Sequence, residues 1–146
     1  MKSSQRITRL HLNDNKNDEF LLIGIVSAEP DYKLSLAINS KFRINLKNSE
    51  PVSIRKEEKN NLSFSRFSDS SKAHELIYTL ISNRAGKDFL LKKLKNVDYL
   101  FVIHDMENEK SYEEVASSLR EIECISAIFN IDINTLKDKH LQHIIC

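Results

Sequence analysis

His104 and Asp105 sit side by side where an apolar run ends. A histidine beside a carboxylate is a pair from which acid–base chemistry near neutral pH is built. Neighbours on a strand point to opposite faces, so an extended backbone would not join the two as a hydrogen-bonded dyad. They read as a polar strand end leading into a turn. His140, His143 and Cys146 have a His-x-x-His-x-x-Cys spacing, which on a helix makes the two imidazoles neighbours. Zinc accepts both donor types, but a structural zinc site takes four protein ligands. No Cys-x-x-Cys or second histidine pair supplies the fourth, so a solvent-exposed tail is expected and no metal or cofactor is assigned.

Asp31-Tyr32 and Asp98-Tyr99 each pair a carboxylate with a phenol. A tyrosine can donate a proton or orient a ligand. The structural reading has Asp31 capping or opening a helix, and a tyrosine near a strand start burying its ring with its hydroxyl toward water or a partner. Lys87, Lys92, Lys93 and Lys95, with Arg84 nearby, form the local basic cluster, which could meet an acidic protein surface or a phosphate. A solvated connector explains the same residues. No Gly-rich phosphate loop, Gly-x-Ser-x-Gly elbow or His-Glu-x-x-His is present, so no residue is assigned a catalytic role.

The 146 residues carry 22 Lys and Arg against 21 Asp and Glu, a net charge of +1. Proteins that live on phosphate backbones carry a basic excess, so bulk nucleic-acid binding is not expected. A chain of this length is one domain, 1–146, large enough to hold a core without metals or disulfides. Cys124 lies in an apolar run and reads as a small buried residue rather than half of a disulfide framework. The first residues lead into no apolar signal segment, and the run from Phe20 to Val26 is too short to span a bilayer. No membrane association and a cytoplasmic location are the expectations.

The elements that must position these groups follow from periodicity. Ile7 to Leu12 alternates as an edge strand would, and Asn13 to Glu19 reads as a loop. Phe20 to Val26 is unbroken apolar, which periodicity cannot assign to strand or helix, although its β-branched residues and Gly24 favour a strand. Pro30 suits a helix start, and Leu34, Ala37, Ile38 and Phe42 share one face of a helix over about 31–41. About 47–61 is rich in Lys, Glu, Asn and Ser and reads as a mobile loop. Leu62 to Phe67 and Glu75 to Asn83 form a hairpin. Phe89, Leu90, Leu91 and Leu94 make a short helical or irregular connector among the lysines.

Val97 to Ile103 is apolar enough to be an interior strand. Ser111 stands three residues before Glu114, the capping-box spacing, and Val115, Leu119 and Ile122 mark the face of the helix that follows. Ser126 to Ile131 is strand-like, which completes a C-terminal βαβ unit. About 134–146 is a flexible tail with one or two turns of helix. The fold class is α+β: a two-layer sandwich, a mostly antiparallel sheet with helices on one face.

The run Leu22-Ile23-Gly24-Ile25, then Ser27, Asp31-Tyr32-Lys33-Leu34 and Asn39, resembles the N-terminal block of the IPExxxVDY family of small bacterial proteins. Val97-Asp98-Tyr99 before an apolar strand is similar to its second block, and Ala127 to Asp132, with Leu136-Lys137, to its C-terminal segment. The resemblance spans about 20–137. The family's Ile-Pro-Glu positions fall on Leu91, Lys92 and Lys93, so that half of the motif is absent. The resemblance implies no substrate. It does imply that a shared site would lie at Ser27, Asp31, Tyr32, Asp98 and Tyr99.

Three functional readings follow. The first is a non-catalytic protein-binding or regulatory module that uses the lysines, or pairs through a sheet edge as a homodimer. The second is an enzyme whose pocket lies near His104, Asp98 and Tyr32. The third, weaker, is RNA binding by a sheet face through Phe64, Phe67, Tyr78 and Phe101, with no RNP-type motif beside them.

Overall fold

The computed structural model describes residues 20–56, 60–72, 76–105 and 110–145. The strand and loop expected over 7–19, and Cys146, lie outside the described residues. The strands of the main sheet are β1 (Phe20–Val26), β2 (Lys47–Lys56), β3 (Asn60–Lys72), β4 (Leu76–Ser82), β7 (Tyr99–Asp105) and β8 (Ala127–Asn130), in the order β2-β3-β4-β7-β1-β8. Every pairing in it is antiparallel. Two short strands, β5 (Arg84–Ala85) and β6 (Asp88–Phe89), make a separate small hairpin. The helices are α1 (Asp31–Phe42), α2 (Tyr112–Arg120) and the single turn α3 (Gln142–Ile145).

Each side of the sheet follows from the period of two along its strands. Ile23 and Ile25 of β1, with Tyr99, Phe101 and Ile103 of β7, face α1 and α2. Leu34 and Ile38 of α1 and Val115 and Leu119 of α2 close that core. Leu22 of β1, with Leu100 and Val102 of β7, faces the other way. There they meet Leu90, Leu91 and Val97 of the connector and Ile144 of the C-terminal segment. Burial on both sides is why 97–103 reads as a continuous apolar run, and it settles 20–26 as a strand. Gly24 permits the close approach of the second layer: a Cβ there would lie 3.0 Å from a Val97 methyl and 3.1 Å from Ile131.

The architecture is the α+β sandwich expected, with a mostly antiparallel sheet and both longer helices sharing one face. β7, α2 and β8 form the βαβ unit with β1 inserted between its two strands. β3 and β4 form the hairpin, with Phe67 opposite Leu80.

Two expectations need correction. Residues 47–56 are a strand and not a loop, because Val52 and Ile54, two apart, bury opposite Phe64 and Leu62. Ser53 between them is exposed, as an edge strand allows, and Pro51 falls within the bulge between Ser49 and Val52. Residues 134–145 are not a loose tail. Leu136, Leu141 and Ile144 pack on the second core, and α3 supplies the one helical turn.

Candidate functional site

Asn83 organises the part of the molecule that carries the lysines. It follows β4 directly and is fully buried. Its amide donates to the carbonyls of Leu94 (2.9 Å) and Val97 (3.0 Å), and its Oδ1 accepts from the Leu91 amide (2.8 Å). Its own backbone bonds Leu90 and Asp98. One side chain thus holds three remote points of the connector against the sheet, satisfying backbone groups that no ladder reaches. Leu90, Leu91 and Val97 point inward as anchors. Lys87, Lys92, Lys93 and Lys95 are all left exposed, Lys93 reaching the Lys137 carbonyl at 3.2 Å.

Asp98 and Tyr99 secure the other side of this platform to the β1–α1 loop. Asp98 accepts from the Ser27 amide (3.0 Å) through one oxygen and from Arg84 Nε (2.7 Å) through the other. The Arg84 guanidinium lies 5.1 Å from the centre of the Phe89 ring. The Ser27 hydroxyl donates to the Cys124 carbonyl (2.7 Å) and accepts from the Glu29 amide. The Tyr99 hydroxyl donates to the Glu29 carbonyl (2.6 Å). Burial, with Asp31, Asp98 and Glu29 nearby, pushes the Tyr99 phenol up to about 12.

Ser27, Asp98 and Tyr99 are therefore together, with Asp31 close enough to act on Tyr99. Their polar atoms are committed to holding a loop. No imidazole lies within hydrogen-bond reach of the Ser27 hydroxyl among the described residues, so nothing activates it as a nucleophile. Tyr32 departs from the group: it is 55% exposed on α1, and Asp31 caps its amide at 2.7 Å.

His104 is at the far end of β7. Five residues of strand lie between it and Asp98, a separation of roughly 20 Å along the chain. His104 and Asp98 therefore stand at opposite ends of the strand, and Tyr32 is on the surface of α1. The His104 ring stacks on Phe20, centroids 4.2 Å apart, while Asp105 is buried toward α1 and α2 and accepts from the Lys110 amide. The two diverge as strand geometry requires. Phe64, Phe67, Tyr78 and Phe101 are all buried, divided between the two cores, so none is presented for base stacking.

Two clefts among the described residues bear on function. One, of about 230 Å³, lies between the end of α1 and the β3–β4 hairpin, with Arg43, Asp69, Tyr78 and Lys110 on its walls. Burial opposes charge on Asp69, but amide bonds from Ser71 and Asn45, the Ser71 hydroxyl and Lys47 outweigh it and hold the carboxyl below its ordinary 3.8. Burial, then Asp105 and Asp69, push the Tyr78 phenol up. The other cleft, about 200 Å³, has the β2–β3 hairpin, β6 and the C-terminal segment as its walls and includes Lys92 and His140. His140 is thus part of a cleft wall and not of a solvated tail.

His140 and His143 have ring centroids 5.8 Å apart. No group of three or more His, Cys, Asp or Glu among the described residues could hold a metal ion. No helix among them is long and apolar enough to cross a membrane. Sequence reasoning missed Asn83 and the Arg84–Asp98 pair. An asparagine ending an apolar strand was the available signal for the first, and it fits a turn equally well. No family model, curated protein or solved structure matches the chain.

Proposed function

We propose that this chain is a non-catalytic binding module whose basic connector docks an acidic segment of a partner protein. The observation that carries it is the Asn83 clamp, which fixes the connector's backbone while its four lysines project outward. A pre-ordered cationic surface loses less entropy on binding than a mobile one and steers acidic partners toward it. The chemistry-bearing residues elsewhere are spent on structure, which also favours binding over catalysis. The sheet edges are less suited to a homodimer: β2 carries Lys47, Pro51, Arg55 and Lys56, and β8 has only four residues.

Membership of the IPExxxVDY family is part of this proposal. Its support is that the two blocks meet physically, Ser27 on Asp98 and Tyr99 on Glu29. A cytoplasmic location is also proposed, in keeping with the unpaired Cys124 thiol.

The test is affinity capture from the native cell extract at low salt, repeated with the Lys92→Glu/Lys93→Glu variant. The expected result is one stoichiometric protein that is released by raised salt and not retained by the variant. Retention of the same partner by the variant, or no partner at all, would reject the reading.

A further inference from the structure

The second cleft combines an apolar floor with a cationic rim. Ile54 and Phe64 are buried at its base, and Leu62, Phe89 and Leu90 complete the apolar part. Three segments distant in sequence each bring one cation to it: Arg55 from β2, Lys92 from the connector and Lys139 from the C-terminal segment. None of the three forms an ion pair among the described residues. Asp88 is the one carboxylate in the lining. Burial, with Lys139, His143 and Lys92 against the opposing Asp138, keeps His140 below its ordinary 6.5, so its imidazole is neutral at pH 7. Three cations thus line the cleft against one carboxylate, above a surface that water solvates poorly.

We propose that this cleft binds a small organic carboxylate, its apolar body on the Ile54–Phe64 floor and its anionic group among Arg55, Lys92 and Lys139. The cavity, about 200 Å³, is below the roughly 300–1,000 Å³ of drug-sized sites, so it selects a short ligand. A bare inorganic anion would leave the floor uncovered, and a neutral chain would leave three cations unmatched. Recognition needs both halves in one molecule. The inference shares Lys92 with the partner reading and is tested separately from it through Arg55 and Lys139, which lie outside the connector.

Hexanoate is a suitable probe, titrated into ¹⁵N-labelled full-length protein and followed by amide chemical shifts. Saturable shifts at Ile54, Leu62 and Phe89 are expected, with a dissociation constant on the order of 1 mM for a ligand of this size. 1-Hexanol and inorganic phosphate should each bind at least about five-fold more weakly. Arg55→Glu/Lys139→Glu should weaken hexanoate about five-fold or more, and the exposed Lys33→Glu on α1 should leave it unchanged. Should the double variant fail to fold, Lys139→Gln alone serves, with a loss of about two-fold. Equal binding of 1-hexanol, equal binding of phosphate, unsaturable shifts, or hexanoate affinity untouched by the rim substitutions would each overturn the proposal.

Discussion

Asn83 shows how much one buried polar side chain can organise. Its three side-chain bonds replace a ladder that the connector cannot form, and its burial makes them strong and costly to lose. In Asn83→Ala the Leu91 amide and the Val97 carbonyl lose a buried partner, and the Leu94 carbonyl keeps only its bond from the Val97 amide. The expected cost is about 2–4 kcal/mol, read as a lower urea midpoint. Amide exchange should separate local from global damage: Leu91, Leu94 and Val97 should accelerate more than the β7 amides. Equal acceleration throughout would mean that Asn83 acts on the whole fold and not on the connector. None of this could be read from the sequence, where Asn83 stands 8 residues from Leu91 and 14 from Val97 with no periodicity linking them.

Among the elements, those with an internal period were legible. α1, β7 and α2 each carry their burial pattern in their own residues, and the Ser111–Glu114 capping box forms as its spacing predicts. The Ser111 hydroxyl accepts from the Glu114 amide at 3.2 Å, and the Glu114 carboxylate accepts from the Ser111 amide. Ser111→Ala should cost about 0.5–2 kcal/mol, measured by thermal or urea unfolding, while Ser111→Asp should retain most of the stability. A neutral Ser111→Ala would mean that packing of Val115 and Leu119 alone holds α2. β2 was illegible for the opposite reason. Between residues 47 and 55 only Val52 and Ile54 are buried, and a single buried pair is too little signal against a polar outer face. The functional residues were legible only in part. Ser27, Asp98 and Tyr99 do come together, but Tyr32 and His104 stand apart, since only the topology determines which strand ends meet.

At the scale of the whole molecule, the central strands β1 and β7 are covered on both sides, and groups in the covering layers link that packing to pH. His140 lies in the C-terminal layer with its pKa held below 6.5, chiefly by burial. The unfolded chain then takes up a proton that the folded chain resists, so stability is flat above about pH 6.5 and falls as pH drops below it. Asp69 acts in a lower window, its contribution disappearing only below its ordinary 3.8. On the alkaline side the order reverses. Tyr99 holds its proton to about 12 in the fold and loses it near 10 when unfolded, so stability falls as pH rises between these values. Unfolding midpoints measured from pH 5 to 11.5 should therefore show a plateau with a decline at each end. His140→Gln should flatten the acid decline above pH 5. Tyr99→Phe should cost about 0.5–1.5 kcal/mol at pH 7 through the lost bond to Glu29, and should reduce the alkaline decline without abolishing it, because Tyr78 is also shifted upward. If His140→Gln left the acid decline intact, the C-terminal layer would not be what couples this fold to mild acid, and the packing of Leu141 and Ile144 over the sheet would have to be opened by another group.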